Sequence, residues 1–155
     1  MLAPRTLAVT FGLLASLSSL AACKGKDKTD DTSLAPAFSS PATAEQQRAT
    51  EAWLALVDGG QIAQSWTEAA SYFKTTIDSP RWEQAVTAVR APLGAVKSRK
   101  LQSATPATSV PGAPDGEYVV FTYATSFENK GAAAETVTPM KDKDGKWRVA
   151  GYFIK

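Results

Sequence analysis

The 155-residue chain has no histidine and a single cysteine, Cys23. Without an imidazole there is no Ser-His-Asp or Cys-His nucleophile pair, no histidine general base and no His-ligated zinc. One cysteine excludes an intramolecular disulfide and a CxxC redox pair. An excess of charge is also missing: 17 Lys+Arg against 15 Asp+Glu leave +2, too little to argue for a nucleic-acid partner. What is present is 44% hydrophobic and 9% aromatic residues in a chain near one domain's length, which fits a single globular unit with extras.

The extras lie at the N-terminus. Arg5 makes a short positive region, and Leu7 to Leu20 form an apolar stretch rich in Leu, Ala and Ser. That stretch is short of the roughly 20 apolar residues of a membrane span, as a secretory signal is. It ends in Leu20-Ala21-Ala22-Cys23. A Leu, two small residues and a cysteine resemble the lipobox of bacterial lipoproteins. The resemblance implies cleavage between Ala22 and Cys23, a diacylated Cys23 thiol and an acylated new amine. The alternatives are an ordinary signal peptide with a chance cysteine, or an uncleaved anchor. Two or three acyl chains hold a protein firmly where one holds it marginally, at roughly 0.8 kcal/mol per buried methylene. Position 24 is Lys and not the Asp that commonly signals inner-membrane retention. The expected location is therefore the inner leaflet of the outer membrane, facing the periplasm.

Residues 24–42, KGKDKTDDTSLAPAFSSPA, mix charge with Ser, Thr, Ala and Pro and have no apolar period. They read as a flexible tether, able to hold a domain roughly 25 Å from a bilayer. The domain is expected over 43–155. Thr43 and Gln46 suggest a capping box, followed by an apolar stripe of Ala49, Ala52, Trp53, Leu56 and Val57 that ends at Gly59-Gly60. A second helix places Ile62, Trp66, Ala69, Ala70 and Phe73 on one face. A third takes Ser79 as N-cap and Pro80 as first residue, with Trp82, Ala85, Val86 and Val89 as its stripe.

After Gly94 the period becomes alternating. Strands are expected over 96 to about 104, 117–127, 133–140 and 146–154. Pro139 marks the third as an edge strand or a bulge, and Asp142-Lys143-Asp144-Gly145 turns into the fourth. Helices followed by an antiparallel meander make an α+β fold of three N-terminal helices on a curved four-stranded sheet.

Five stretches carry a family resemblance: WLALVDGG at 53–60, SWTEAASYF at 65–73, RAPLGAVKSRKL at 90–101, VPGAPDGEYVVFTY at 110–123 and the ending DKDGKWRVAGYFIK. Together they resemble bacterial envelope proteins of the domain of unknown function 4019 family. The resemblance implies no activity and no functional residues. The order of elements is similar to the nuclear transport factor 2-like (cystatin-like) folds, which implies a cone with a cavity between sheet and helices, and no chemistry.

Core packing is the first reading of Trp53, Trp66, Trp82 and Trp147, since three of them fall on apolar helix faces. The functional reading is an aromatic pocket or interface built from Trp66, Tyr72, Tyr118 and Tyr123. The strand 117–127 is apolar on both faces, with Val119, Phe121, Tyr123 and Phe127 on one and Tyr118, Val120 and Ala124 on the other. One face should cover the helices and the other line a cavity or an oligomer contact. Asp142, Asp144 and Gly145 hint at a calcium loop but lack its further ligands, so a hairpin turn is the better reading. Lys97 and Arg99 share a strand face, readable as a phosphate contact or a solvated edge, and Arg90 reads as a structural partner for a carboxylate. The loop 105–116, TPATSVPGAPDG, is a strand connection or a binding loop.

The sequence therefore points to a lipid-anchored envelope domain that binds or scaffolds without catalysis. No metal and no cofactor are implied, and its object is an envelope protein or a small apolar ligand. A passive structural lipoprotein is a second reading. The enzyme alternative is a small cavity using carboxylate and tyrosine acid–base chemistry on an apolar molecule. Replacing Cys23 by Ser is expected to abolish palmitate labelling and to release the chain from the membrane fraction, which metabolic labelling and fractionation check.

Overall fold

The computed structural model describes residues 44–155. The signal segment, the Ala22–Cys23 cleavage site, the tether and Thr43 lie outside the described residues.

Helix α1 (Ala44–Asp58) buries Thr50, Trp53, Leu54 and Val57. This stripe is rotated from the expected one: Ala49 and Leu56 are half-buried and Ala52 is exposed. The Thr50 hydroxyl donates to the Gln46 carbonyl at 2.9 Å, which lets a polar residue occupy the inner face. The helix ends as Gly59-Gly60 requires. Gly60 takes φ 73°, the Gln61 N–H reaches the Leu56 carbonyl at 2.8 Å and the Gly60 N–H reaches Val57 at 3.2 Å, the double bond of a Schellman cap.

Where one second helix was expected there are two, α2 (Ile62–Thr67) and α3 (Ser71–Thr76). Nothing in the local sequence breaks it. Ala69 and Ala70 are fully buried, and the Ala70 N–H donates to the Val149 carbonyl of the sheet at 2.8 Å. A tertiary bond has replaced a helical one, and small side chains allow that approach. In α4 (Ser79–Arg90) the N-cap is Asp78, not Ser79: its carboxylate accepts from the Arg81 N–H at 2.9 Å. The Ser79 hydroxyl instead donates to Glu83 at 3.0 Å.

Strands β1 (Val96–Ala107), β2 (Tyr118–Phe127), β3 (Ala133–Lys141) and β4 (Trp147–Ile154) form one antiparallel sheet in that order. The fold is α+β, with four helices among the described residues. β1 runs three residues past its expected end and takes Pro106 into the ladder opposite Val119, which an edge strand tolerates. β3 is a central strand, so Pro139 marks a bulge: the register shifts between Thr138 and Pro139. The Gly145 turn forms as expected, with φ 79° and its N–H on the Asp142 carbonyl at 2.8 Å.

The helices cover the face carrying Val119, Phe121, Tyr123, Val137 and Val149, and the core joins these to Trp53, Leu54, Phe73, Trp82 and Val86. Trp82 meets Phe73 edge-on at 4.9 Å between centroids and Trp53 at 5.8 Å. Both buried indoles are satisfied by Ser65: Trp53 donates to its carbonyl at 2.7 Å and Trp82 to its hydroxyl at 3.0 Å. Rings thus fill the space that the cystatin-like resemblance leaves as a cavity. Phe121 is fully buried, and Phe121→Ala is expected to cost about 3–5 kcal/mol by urea unfolding.

Candidate functional site

Two places in this fold concentrate chemistry. The first is a charge cluster to which six elements each contribute one residue. Glu135 of β3 is fully buried. It accepts from Arg99 of β1 at 2.6 Å and 3.1 Å, from the Tyr152 hydroxyl of β4 at 2.6 Å and from the Thr125 hydroxyl of β2 at 2.5 Å. Arg90, at the end of α4, reaches it at 3.4 Å. Asp58, at the end of α1, accepts from Arg90 at 2.8 Å and from Arg99 at 2.7 Å and 3.1 Å. The Arg90 guanidinium also lies 4.9 Å from the Phe127 ring centroid.

Two acids and two guanidiniums cancel, which is the condition for keeping charge inside. Burial of Arg99 works against its proton, but the bonds to Asp58 and Glu135 prevail and hold its pKa above the usual arginine range. Tyr152 is also held above the ordinary tyrosine value, first by burial and then by the Glu135 carboxylate. Arg90 has the structural carboxylate partners expected of it. Arg99 does not lie on a solvated edge. A bulge between Val96 and Ser98 breaks the alternation, leaving Lys97 exposed while Arg99 turns inward. Asp58 completes the cluster. A carboxylate does stand beside a tyrosine here, as acid–base chemistry needs. Both Glu135 oxygens, however, are taken by internal donors, so the arrangement acts as a clamp between helices and sheet.

The second place is a groove of about 640 Å³ that straddles the β4 edge at Gly151. On one side stand Tyr72, Phe73 and Ile77 of α3 and its C-terminal boundary, with Trp82 and Ala85 of α4. On the other are Val120, Thr136 and Thr138 on the outer sheet face, walled by Val110, Pro111 and Ala113. Those last three belong to the β1–β2 loop, closed on itself by the Gly116 N–H on the Thr108 carbonyl at 2.8 Å. The Tyr72 hydroxyl donates to the Gly112 carbonyl, so the loop crosses the outer face and ends against α3. Gly112, at φ 79°, makes the turn there. Beside the groove, the Asp142 carboxylate accepts from the Ser71 N–H and hydroxyl, both at 2.9 Å. Burial opposes its ionisation, but the Ser71 and Lys143 N–H groups and Arg148 outweigh that and lower its pKa.

Of the residues singled out from sequence, Tyr72 lines the groove. Tyr118 is buried beneath the loop and donates to the Pro114 carbonyl at 2.5 Å, fixing that wall. Trp66 lies elsewhere, with its indole N–H on the Ile77 carbonyl at 2.8 Å and the Lys74 ammonium 5.7 Å from its ring. Tyr123 is buried on the helix-covered face. The four therefore do not form one pocket. Val120, on the face expected to line a cavity or a contact, and Val110, in the loop read as a connection or a binding loop, both line the groove, whereas Gly151 was not singled out. Two signals pointed there: a glycine inside a strand, which marks close approach, and the Pro/Gly-rich loop. Asp142 and Asp144 hold Ser71 and Arg148, not a cation site: Arg148 donates to both Asp144 oxygens at 2.7 Å.

The described fold is thus an α+β domain whose helices cover one sheet face and whose long loop covers part of the other. Residues 49–152 match the model of a family described as protein of unknown function (DUF4019), and the chain belongs to that family. No match is found among curated proteins.

Tyr123 and Tyr152 make a contrast that stability measurements read. The Tyr123 hydroxyl is buried with no hydrogen-bond partner among the described residues. Tyr123→Phe is therefore expected to be neutral or stabilising by about 1 kcal/mol, and Tyr152→Phe to cost about 1.5–3 kcal/mol through its lost bond to Glu135. Burial first, then Glu51, pushes the Tyr123 pKa from 10 up to about 12. A neutral phenol favoured by folding contributes fully below the unfolded value and is lost as pH rises through the folded one. Tyr123→Phe should thus remove part of the stability loss between pH 10 and about 12, checked by urea unfolding at pH 7 and pH 11.

Proposed function

We propose that this chain is a lipid-anchored bacterial envelope protein whose domain binds an uncharged apolar ligand in the groove at the β4 edge and does no chemistry on it. The observation that carries the binding reading is the lining. A groove of about 640 Å³ has Phe73, Ile77, Trp82, Val110, Pro111 and Val120 on its walls and no charged side chain among its lining residues. Ligand sites have about this size and this apolar character, with few polar groups to orient the ligand. Tyr72, Thr76, Thr136 and Thr138 are those groups here. The buried carboxylate nearest in role to a catalyst is engaged by four internal partners, so binding is favoured over acid–base chemistry. The lipobox at 20–23 supports the anchor, and Lys24 supports the outer membrane as its site.

Gly151 offers the test. A Cβ there meets Phe153 and Thr138 carbons at 3.7 Å and the Thr138 hydroxyl oxygen at 4.0 Å, all ordinary contact distances, and the Gly151 φ is not in the left-handed region. A larger side chain at that point enters the groove without disturbing the fold. Energy transfer from tryptophan to the uncharged dye N-phenyl-1-naphthylamine, with Trp82 on the wall, should saturate for the native chain. Gly151→Leu should weaken the dye's Kd at least tenfold in the same detergent background. Equal binding by the two chains overturns the proposal.

A further inference from the structure

Beyond its apolar walls the groove has a row of backbone groups. Lys155 and Ala134 exchange both of their hydrogen bonds, at 2.9 Å and 3.0 Å. In an antiparallel ladder such pairs alternate with pairs that make none. From that register, the N–H and C=O groups of Ile154 and Tyr152, opposite Glu135 and Val137, point away from β3 into the open edge. Among the described residues no backbone hydrogen bond between elements reaches them. Further along the strand the edge is closed, because Ala70 already occupies the Val149 carbonyl. The free edge is therefore residues 151–155.

Alongside this edge runs a second recess of about 180 Å³, where Val86 and Val89 of α4 face Ile154. It shares Trp82, Ala85, Tyr152 and Phe153 with the groove, so the two recesses form one trough along β4. Its one charged lining residue, Arg90, is committed to Asp58 and Glu135. The exposed large hydrophobic side chains, Val89 at 48% and Phe153 at 64%, stand on its two sides. Sheet edges are ordinarily blunted by charge, proline or cover. Here, among the described residues, the edge presents unpaired backbone between apolar walls.

We propose that the ligand of this groove is an extended, uncharged segment of a partner protein that adds to β4 as a fifth strand, a step that rests on the groove being the binding site. Backbone bonds to Tyr152 and Ile154 hold the segment. Its alternate side chains enter the α4 recess on one face and cover Gly151 and Phe153 on the other. The uncharged trough selects against charged segments. A second copy of this domain is the other occupant that the test distinguishes.

The test is made on the full-length chain, by panning phage-displayed random nonapeptides and synthesising the enriched sequences. Enriched peptides should be uncharged with apolar residues at alternate positions. Their binding should slow hydrogen exchange of the Tyr152 and Ile154 amides at least tenfold. Ile154→Pro removes an N–H that no described residue uses. It should weaken peptide binding at least tenfold and leave naphthylamine binding within twofold. Enriched peptides that bind Ile154→Pro as well as the native chain overturn the proposal. So does protection of both amides in the free chain, whether by a second copy or by a segment of the chain itself. Dye binding with no enriched peptide defeats the strand addition alone, while failure of both defeats the groove reading too.

Discussion

Glu135 has no solvent exposure, and a carboxylate so placed carries a desolvation penalty of several kcal/mol unless donors surround it. Meeting that requirement organises the rest of the domain. The donors come from α4, β1, β2 and β4 through Arg90, Arg99, Thr125 and Tyr152. Asp58 from α1 then balances the second guanidinium. The C-terminal ends of α1 and α4 are thereby fixed against the sheet at one point. Apolar packing alone tolerates sliding of helices over a sheet, whereas two guanidinium–carboxylate pairs with defined geometry do not.

The position of the groove follows from that clamp. Arg90 ties down the last turn of α4, while Ala85 and Val89 of the same helix face the recesses beside β4. At the other end, the Ala70 bond to Val149 sets where the chain leaves the edge. Between these two fixed points no described strand pairs with the outer edge of β4, and at Gly151 it has no side chain. The loop held by Tyr72 and Tyr118 supplies the wall on the outer face. A Pro/Gly-rich stretch that reads in sequence as a connection thus has a defined path across the sheet.

How much of this was legible depended on whether the deciding interaction was local. The Gly59-Gly60 stop, the Gly145 turn and the alternation in β2 were readable because caps, turns and strand period are properties of neighbouring residues. The break at Ala69-Ala70 was not, since two alanines favour helix and only the β4 carbonyl draws them out of it. Arg99 was misplaced because a bulge after Val96 reverses inside and outside as far as Leu101, where a second register shift restores them. Tyr72 was identified without its partner, a carbonyl 40 residues away.

The sequence by itself determined the α+β class, the positions of the strands and most of the core. It also determined the absence of imidazole and disulfide chemistry, because composition and period are set by the chain alone. Tertiary structure decided which charges are inside, where the sheet edge is left free and which apolar side chains line it. Those outcomes depend on contacts such as Arg99 with Glu135, 36 residues apart, and Arg90 with Tyr152, 62 apart. No local pattern records such contacts, because their energy exists only once the helices and the sheet have met.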